Sequence, residues 1–511
     1  MTEKLQIHAI SLAALALISV LALLGSAAAH AAPCPPALAG DSTHPAGEAC
    51  PSRIRNDASY GPVQISGGMC PNVPTSFPRV HTVASSAEFD TAYAAVKPGE
   101  AIVVQNGSYS GGSSLKTLTR HGTASAPIYI LSQSLHGAEF RDSFLRFHVK
   151  GSRHVIAGFK WTNPGSGSII TVDGPDNRIA CNVAHSNSAK GMFLLTNSLG
   201  LADRLEVDNN VLSGLFRGMR FHRCNPTLSS CTKNSMGIHV HHNTFRDVPA
   251  DPDPSVDREA ILLGLGYHAV DGVRTYNANG NDMGMIVENN LFDGWNGEEE
   301  LISIKSSRNI IRNNCVRNAP GTYMVIRLGD NNLITGNWQE GGRGGHRISG
   351  TGNYFVFNYQ AKRTNGSHAL RPHQGSRSGD LYVYRQASDN VWRYNVFGNF
   401  NGWIQVRDRI GSVYVDSPRR NIFSDNLMYS TSFVGDDTRG SGSYSNVDGT
   451  WTETQYRNAN TWNPNSVIPS KLPESECGNP ALFSGPGGQS AMVPGRSQLL
   501  DPSDIRPPSW W

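Results

Sequence analysis

The chain has 511 residues, of which 53 are glycine and only 17% carry a charged side chain. This length allows one long elongated domain or two to three ordinary ones. The formal net charge of +3 is too small to indicate a nucleic-acid-binding protein, and no long basic run is present. The high glycine content, with few helix-forming residues after the first hundred positions, is typical of a β-rich protein with many turns.

The first 31 residues have the pattern of a secretory signal peptide. Lys4 precedes an apolar run over residues 10–24, and small residues follow it, with a cleavage site at residues 29–31. The run is short for a membrane-spanning helix, which needs about 20 residues, and we find no other stretch that could cross a membrane. We therefore expect a protein that is secreted to the periplasm or the extracellular space.

Residues 32–78 are rich in proline, glycine and cysteine and show no periodicity, so we interpret them as an N-terminal extension. The eight cysteines are an even number in an exported chain, which allows disulfides. Cys224 and Cys231 flank a short polar loop and form the expected pair. The spacing does not fix the other pairings, but three cysteines are placed to staple the extension: Cys34, Cys50 and Cys70.

The first regular element that the pattern predicts is a short helix over residues 86–96, where apolar side chains recur three and four positions apart. Ser85 or Ser86 can cap its start, and the Lys-Pro-Gly sequence after it ends the helix. A strand over residues 101–104 follows. A helix before the first strand suits a β-helix, because the open end of that fold would otherwise expose unpaired strand edges and apolar core.

An irregular repeat then runs along most of the chain, in which short apolar segments pass through an asparagine and return to apolar residues. The asparagines that recur in this frame are Asn182, Asn210, Asn243, Asn290, Asn314, Asn337, Asn358, Asn395 and Asn426. The tightest spacings are 24, 23 and 21 residues, which one coil of three short strands and three turns would fill. Asparagine suits a corner because it tolerates left-handed backbone, and stacked amides can bond from coil to coil.

This repeat predicts an all-β, right-handed, single-stranded parallel β-helix with a short N-terminal capping helix. We expect the β-helix to span residues 79–445, because the pattern fades after about residue 440. Residues 446–511 contain several prolines and tryptophans without alternation, and we interpret them as a C-terminal extension.

One coil departs from the structural pattern, because three consecutive glutamates precede an apolar strand that ends at Lys305. Glu298 and Glu300 project to the same face of an extended segment, where their oxygens suit a hard cation such as calcium. Arg327 follows Lys305 by 22 residues, so stacking of coils would place the two cations side by side. Such an arrangement is costly unless anions are present, which indicates a calcium–carboxylate site and an anionic substrate.

These motifs resemble those of polysaccharide lyase family 6, which includes chondroitinase B and alginate lyases. The similarity covers residues from about 83 to 426. The acidic segment is similar to the family's E-x-E-I-I-S-x-K-S, the arginine segment to R-H-G-[DN], and a later segment to G-G-x-R-x-x-G. The similar stretches are residues 97–103, 298–306, 327–330, 344–350 and, more weakly, 384–386.

The resemblance implies a role for each matching residue. Lys305 would be the general base that removes the C5 proton of a uronate, and Arg327 would act as the acid or stabilise the leaving oxygen. Glu298 and Glu300 would bind Ca²⁺, which neutralises the substrate carboxylate. Arg347 would hold the substrate, and its segment and the weaker downstream match add two further substrate-binding residues, His346 and Tyr384.

Two positions depart from the family pattern. The family has histidine after the catalytic arginine, where this chain has Leu328. The family's third calcium ligand is an asparagine, at a position that Val256 occupies here and where valine cannot ligate. Asp257 could replace it from the adjacent position, or Glu259 could. We take Asp257 as the third predicted ligand.

The resemblance implies a lyase that acts on an anionic polysaccharide, most directly alginate at mannuronate. We expect a monomer that binds neither nucleic acid nor membranes. One alternative is a chondroitinase B-like lyase for dermatan sulfate. A second is hydrolysis by paired carboxylates on the same fold. A third is a carbohydrate-binding β-helix without catalysis, which Leu328 and Val256 would favour. The fold alone does not decide among them.

Overall fold

The computed structural model describes residues 70–429, with internal gaps that include 223–234, 251–256, 265–281 and 405–413, and three further strands up to residue 462. Short strands follow one another in a repeating order of three, and each pairs in parallel with the strand one coil later. The chain therefore winds into a right-handed parallel β-helix, as the asparagine repeat predicts. In the described part of the chain, no helix is both long and apolar enough to span a membrane.

Three long parallel sheets form the walls of the β-helix. The first sheet contains thirteen strands: β1 (Val80–Val83), β2 (Ala101–Val104), β5 (Ile128–Ser132), β8 (His154–Ala157), β11 (Arg178–Ala180), β14 (Glu206–Asp208), β17 (His239–His241), β20 (Ile286–Glu288), β23 (Ile310–Arg312), β26 (Leu333–Thr335), β29 (Tyr354–Val356), β34 (Val391–Arg393) and β38 (Ile422–Ser424).

The second sheet follows the asparagine corner and also contains thirteen strands: β3 (Gly107–Tyr109), β6 (Ala138–Arg141), β9 (Lys160–Thr162), β12 (Val183–His185), β15 (Val211–Ser213), β18 (Thr244–Val248), β21 (Leu291–Trp295), β24 (Cys315–Arg317), β27 (Trp338–Gly342), β30 (Tyr359–Lys362), β35 (Val396–Gly398), β39 (Leu427–Tyr429) and β42 (Thr461–Trp462). Because β42 pairs with β39, this sheet continues beyond residue 445, where the sequence pattern fades.

The third sheet contains eleven strands: β4 (Ser114–Leu118), β7 (Leu145–Val149), β10 (Ser168–Val172), β13 (Met192–Thr196), β16 (Arg217–Phe221), β19 (Ile261–Leu263), β22 (Glu300–Ile304), β25 (Tyr323–Ile326), β28 (His346–Ile348), β31 (His368–Pro372) and β36 (Gly402–Ile404). Two small antiparallel sheets are formed by β32 (Gly375–Ser378), β33 (Leu381–Tyr384) and β37 (Tyr414–Asp416), and by β40 (Tyr444–Asn446) and β41 (Gly449–Trp451).

The predicted capping helix is confirmed as α1 (Ser86–Ala95). Ser85 is its N-cap, and its Oγ accepts the Glu88 main-chain N–H at 3.2 Å, while the Glu88 carboxylate accepts the Ala84 N–H at 2.7 Å. The first bond satisfies one of the N–H groups that a helix start leaves unbonded, and the second fixes the chain just before the cap. Phe89 is buried and packs 5.9 Å from the ring of Phe147, so the helix closes the apolar end of the β-helix.

The interior is filled by inward-facing side chains from all three sheets, which form one continuous apolar cluster along the axis. Phe140, Phe159 and Trp161 pack together with ring centroids 5.3 to 5.6 Å apart. Phe245 and Phe292 stack at 4.7 Å one coil apart. Burying one such side chain stabilises the fold by roughly 1.5–3 kcal/mol, so the stacked coils supply their own core without a second layer.

The predicted asparagine corner is confirmed as a ladder of buried amides between the first and second sheets. The Asn314 main-chain N–H and Nδ2–H both donate to Asn337 Oδ1 at 3.0 Å, and Asn290 donates in the same way to Asn314 Oδ1. The left-handed residue is the one before the ladder asparagine, as at Asn313 (φ 52°), and not the ladder residue itself. Eight members are joined in this manner: Asn182, Asn210, Asn243, Asn290, Asn314, Asn337, Asn358 and Asn395.

A second amide ladder, which the sequence pattern did not reveal, lies at the corner that leads into the first sheet. Asn309 donates both its main-chain N–H and its Nδ2–H to Asn332 Oδ1 at 2.9 Å. The same bonds continue from coil to coil through Asn332, Asn353, Asn390 and Asn421. Two of the three corners are therefore held by stacked amides.

We expect Asn314→Ala to destabilise the protein by at least about 2 kcal/mol, because buried polar groups would lose their partners. The Asn314 Nδ2 donates to the carbonyls of Val287 and Arg312 at 2.9 and 3.0 Å, and both would lose this bond. Urea unfolding midpoints measure the effect. The control is Asn187→Ala, whose side chain is exposed; equal midpoints for the two variants would contradict the structural role of the ladder.

A disulfide joins the N-terminal extension to the coils. Cys70 and Cys181 are bonded, with Cα atoms 5.9 Å apart and a sequence separation of 111. Cys70 thus staples the extension, as its position suggests, and Cys315 is also disulfide-bonded. The expected Cys224–Cys231 pair lies outside the described residues, as do the signal peptide and most of both extensions.

Candidate functional site

Three neighbouring strands of the third sheet, β22, β25 and β28, bring the predicted catalytic residues together. Ile302 and Ile304 point into the core, so Ser303 and Lys305 lie on the outer face by alternation. The Lys305 main-chain N–H bonds Leu263 O at 2.7 Å, and the Arg327 N–H bonds Ile304 O at 2.9 Å. The ladder of strand hydrogen bonds therefore places Arg327 beside Lys305, one coil further along the axis.

The outer face next to Lys305 also holds three carboxylates. Glu298 and Glu300 come from the turn before β22 and from its first residue, and Glu259 precedes β19 in the previous coil. One oxygen from each lies within 4.8 Å of the others. Gly297 permits this approach, because a Cβ there would stand 2.7 Å from the Arg258 carbonyl oxygen.

Cations surround these carboxylates on both sides. Arg347 Nη2 lies 3.2 Å and Arg327 Nη1 lies 3.6 Å from Glu300 Oε1. Lys305 Nζ lies 3.6 Å from Glu259 Oε1. The Ser303 hydroxyl also donates to Glu300. Arg327 is thus in contact with Glu300, a predicted ligand, and Lys305 is in contact with Glu259.

The pKa values of Glu300 and Glu298 are shifted in opposite directions. Burial favours the neutral form of Glu300, but Arg347, Lys305 and Arg327 outweigh burial and hold the pKa of Glu300 below its usual range. Burial also raises the pKa of Glu298, and the neighbouring Glu259 and Glu300 reinforce it, to about 9. Negative charge is therefore in excess around Glu298, which is where an added cation would be stabilised.

The residues present fit a hard divalent cation. Glu259 and Glu298 each have a buried Oε1 that accepts no hydrogen bond from the described residues. Such oxygens, together with Glu300, form the donor set that calcium or magnesium prefers. Asp257 does not join this group, since its side chain is 53% exposed and lies 3.4 Å from Arg220. The geometry thus favours Glu259 as the third oxygen ligand, with Glu298 and Glu300.

Of two neighbouring residues predicted to bind substrate, the structure places Arg347 on the outer face and His346 in the interior. Arg347 lies on the outer face in register with Val325, whose own partner is Ser303. His346 is its neighbour on β28 and points inward, where it is 1% exposed, bonds Gln360 at 2.7 Å and has a pKa lowered by burial to about 3. The structure does not bring His346 to the site.

Three further positions that the sequence singles out are Tyr384, Leu328 and Val256. Tyr384 is the last residue of β33, in the three-stranded antiparallel sheet, and its side chain is not among those that the structure describes. Leu328 is 1% exposed, and its side chain has no polar group with which to bind a ligand. Val256 lies outside the described residues.

Arg220 is a further cation beside the carboxylates, and sequence reasoning missed it. Its Nη2 lies 2.8 Å from Glu259 Oε2. It stands on β16, two coils before β22, and 39 residues separate it from Glu259. An insertion between the two coils removes the regular spacing that revealed Lys305 and Arg327, and no motif marks Arg220.

Comparison with known proteins identifies the family to which the chain belongs. The family model described as Chondroitinase B matches residues 83–466, which is most of the chain. None of the curated proteins matches the chain significantly.

Solved structures share the fold at low sequence identity. The PL6 family alginate lyase AlyGC aligns with a TM-score of 0.56 and 20% identity over 74% of this chain, which spans only 56% of that structure. A PL6 polysaccharide lyase from Pseudopedobacter saltans aligns with a TM-score of 0.54 and 18% identity over 68% of this chain and 84% of its own. A mannuronic acid specific family 6 lyase from human gut microbiota has a TM-score of 0.52 and 17% identity, over 69% and 80%.

The family match covers far more than half of the sequence, and the site residues of this chain lie within it. The same stretch forms the coils that carry Lys305, Arg327 and the three glutamates. The chain therefore belongs to the chondroitinase B family, polysaccharide lyase family 6.

Proposed function

We propose that this protein is a lyase that cleaves a uronate-containing polysaccharide by β-elimination, with Lys305 as the base. The observation that carries the proposal is the contact between a buried amine and a cluster of carboxylates on the outer face of the third sheet. Lys305 is only 5% exposed, and Arg327 stands one coil away. A base and a second cation at this separation can reach adjacent atoms of one sugar ring.

The reaction balances with the groups on this face. Lys305 Nζ takes the C5 proton of a uronate, the electron pair of the C–H bond forms the C4–C5 double bond, and the C4–O4 bond breaks. Arg327 stabilises or protonates the departing oxygen. A divalent cation held by Glu259, Glu298 and Glu300 would supply Lewis-acid stabilisation of the substrate carboxylate. Arg347, on the same outer face, holds the substrate.

The substrate that we propose is alginate, attacked at mannuronate. Of the neighbours in fold, one is named as an alginate lyase and another as a mannuronic acid specific lyase, and these two names support the proposal. Dermatan sulfate is the alternative, because the matching family is named for chondroitinase B. Secretion is part of the same proposal, since the Cys70–Cys181 disulfide suits an oxidising compartment in which such polymers are met.

Ultraviolet absorbance during incubation with polymannuronate, polyguluronate and dermatan sulfate tests the proposal. The new C4–C5 double bond, conjugated with the carboxylate, absorbs ultraviolet light, and a hydrolase product does not. We expect absorbance to rise fastest on polymannuronate. A rise on dermatan sulfate alone would reassign the substrate, and new reducing ends without absorbance would replace elimination by hydrolysis.

Calcium binding is expected to depend on Glu298. Isothermal titration should show that the protein binds Ca²⁺, that chelation lowers the lyase rate, and that Glu298→Gln weakens binding at least about tenfold, because it removes one charged oxygen ligand. Glu299→Gln is the matched control. Its side chain is 41% exposed and lies 3.7 Å from Arg347, outside the ligand group. Equal calcium affinity in the two variants would remove Glu298 from the site.

A further inference from the structure

The outer face of the second sheet carries an apolar column that is buried. Val316 packs in the core, so its neighbour Cys315 points outward by alternation. Cys315 pairs in register with Trp338, and Trp338 pairs with Tyr359 one coil later. These three outward-facing side chains, which we refer to as the Cys315 column, are only 0%, 5% and 5% exposed.

Such burial requires a cover on the outside of the sheet. The rings of Trp338 and Tyr359 pack against each other with centroids 4.1 Å apart, but two stacked rings on an open sheet would still expose their outer sides to water. Leu291 precedes Cys315 in the same column and is only partly buried. The cover is therefore most complete over Cys315 and the two coils after it.

The disulfide of Cys315 narrows the identity of the covering segment. Cys315 is disulfide-bonded, and the other two cysteines in the described part of the chain, Cys70 and Cys181, are bonded to each other. Disulfide-bonded residues have Cα atoms within about 7 Å, so the segment that holds the partner lies against the column. The partner is one of the five remaining cysteines: Cys34, Cys50, Cys224, Cys231 and Cys477.

The position of the chain before Cys477 favours that residue as the partner. Thr461–Trp462 form β42, which pairs with β39 and so lies in the same sheet as Cys315. In the strand order of this sheet, β42 is five places from β24, a distance of about 24 Å. Cys477 follows Trp462 by 15 residues, which can span up to about 50 Å. The segment after β42 therefore starts on the correct wall and is long enough to reach the column.

The other cysteines are anchored elsewhere. The residues around Cys70 pack against the first sheet, where Arg178 Nη1 donates to Pro71 O at 3.0 Å, so Cys34 and Cys50 precede a segment held on a different wall. Cys224 and Cys231 lie between β16 and β17, in coils that precede β24. Their short separation allows them to pair with each other.

We propose that residues 463–511 run back along the outer face of the second sheet and are fastened over the Cys315 column by a Cys315–Cys477 disulfide. Forming this bond removes two protons and two electrons from the two thiols, and thiol–disulfide exchange passes the electrons to a disulfide-bonded oxidant, which is reduced to two thiols. The segment acts as a strap that covers Trp338 and Tyr359 and ties the last coils to β24. The inference is independent of the proposed function, because the site lies on the third sheet.

Peptide mapping of the unaltered protein without reduction tests the pairing. Trypsin releases Cys315 on residues 313–317 and Cys477 on residues 472–496. Cys224 and Cys231 share the peptide 224–233, and Cys34 and Cys50 share the peptide that ends at Arg53. We expect 313–317 and 472–496 to form one species that separates into two on reduction. Linkage of 313–317 to either of the other peptides would overturn the proposal.

Hydroxyl-radical footprinting, read by mass spectrometry, tests the cover. Trp338 should be protected in the unaltered protein and labelled several-fold more in Cys477→Ser, because the strap is released. Trp161 is fully buried in the core and is the internal reference, which should stay protected in both proteins. Equal labelling of Trp338 in the two proteins would overturn the strap. If the variant does not fold, so that Trp161 is labelled as well, the peptide map of the unaltered protein decides alone.

Discussion

Lys305→Ala is expected to lower the lyase rate by about 10²- to 10⁴-fold, the usual contribution of a positioned general base. Lys305 is the amine that the third sheet brings against the carboxylate cluster, 3.6 Å from Glu259, and Arg327 occupies the next coil. Removing the amine leaves the substrate-binding cations in place, so the loss should appear in kcat more than in KM. Initial rates of absorbance on polymannuronate measure it.

Two further variants separate chemistry from structure. Lys305→Arg keeps a cation beside Glu259 but cannot release its proton at ordinary pH, so it should be as inactive as the alanine variant. A purely charge-balancing lysine would instead be rescued by arginine. Lys160→Ala, which removes a 41% exposed lysine on the second sheet, should retain full activity. Substantial activity in either Lys305 variant would remove Lys305 from the role of base.

Glu288→Gln is expected to destabilise the protein by about 3–5 kcal/mol, because it removes one partner of a buried ion pair. Glu288 lies on the outer face of the first sheet, between His239, whose Nε2 is 2.7 Å from Glu288 Oε1, and Arg312, whose Nε donates to Glu288 Oε2. The Arg312 side chain is 1% exposed. Its charge would remain buried on the outer face of the sheet without the Glu288 carboxylate.

Urea unfolding midpoints test this expectation with two comparisons. Glu206→Gln changes a 36% exposed glutamate on the same face and should cost about 1 kcal/mol or less. The double variant Glu288→Leu with Arg312→Met removes both charges and should recover much of the stability. If Glu288→Gln unfolds at the same urea concentration as Glu206→Gln, the buried pair does not hold the first sheet.

Acidification should have a related effect on the unaltered protein. Burial would raise the pKa of Glu288, but Arg312 and His239 outweigh it and hold the pKa well below the usual range. A carboxylate with a lowered pKa in the folded state contributes stability above its unfolded pKa of about 4.3, and this contribution is lost as the pH falls further. Urea midpoints should therefore drop below about pH 4.3, and the drop should be smaller in the Glu288→Leu, Arg312→Met variant.

The coil architecture was predictable because one signal repeats. The asparagines from Asn290 to Asn358 recur at nearly constant spacing, and that spacing also placed Arg327 beside Lys305. The second ladder has the same spacing over Asn309, Asn332 and Asn353, but its asparagines precede their strands, so the sequence pattern did not separate them from ordinary turn residues. A physical reason exists for both: a stacked amide satisfies the main chain at a corner that strands leave unbonded.

The rest of the site depends on long-range geometry. Glu259 and Arg220 are brought to the site by coils that contain insertions, so their distance in sequence does not reveal their contact. His346 illustrates the opposite case. Adjacent residues of a strand face opposite sides, so once Arg347 is assigned to the outer face, His346 has to point into the core. Alternation alone would have placed it there.

Elimination conserves the mass of the substrate, whereas hydrolysis adds one water to it, and this difference tests the central claim most directly. Mass spectrometry of the fragments from an oligomannuronate of defined length is the measurement. The account predicts two fragments whose masses add up to that of the parent, with the deficit of one water on the fragment that carries the C4–C5 double bond. Fragment masses that exceed the parent by one water would contradict it and show that the carboxylates of this site hydrolyse their substrate.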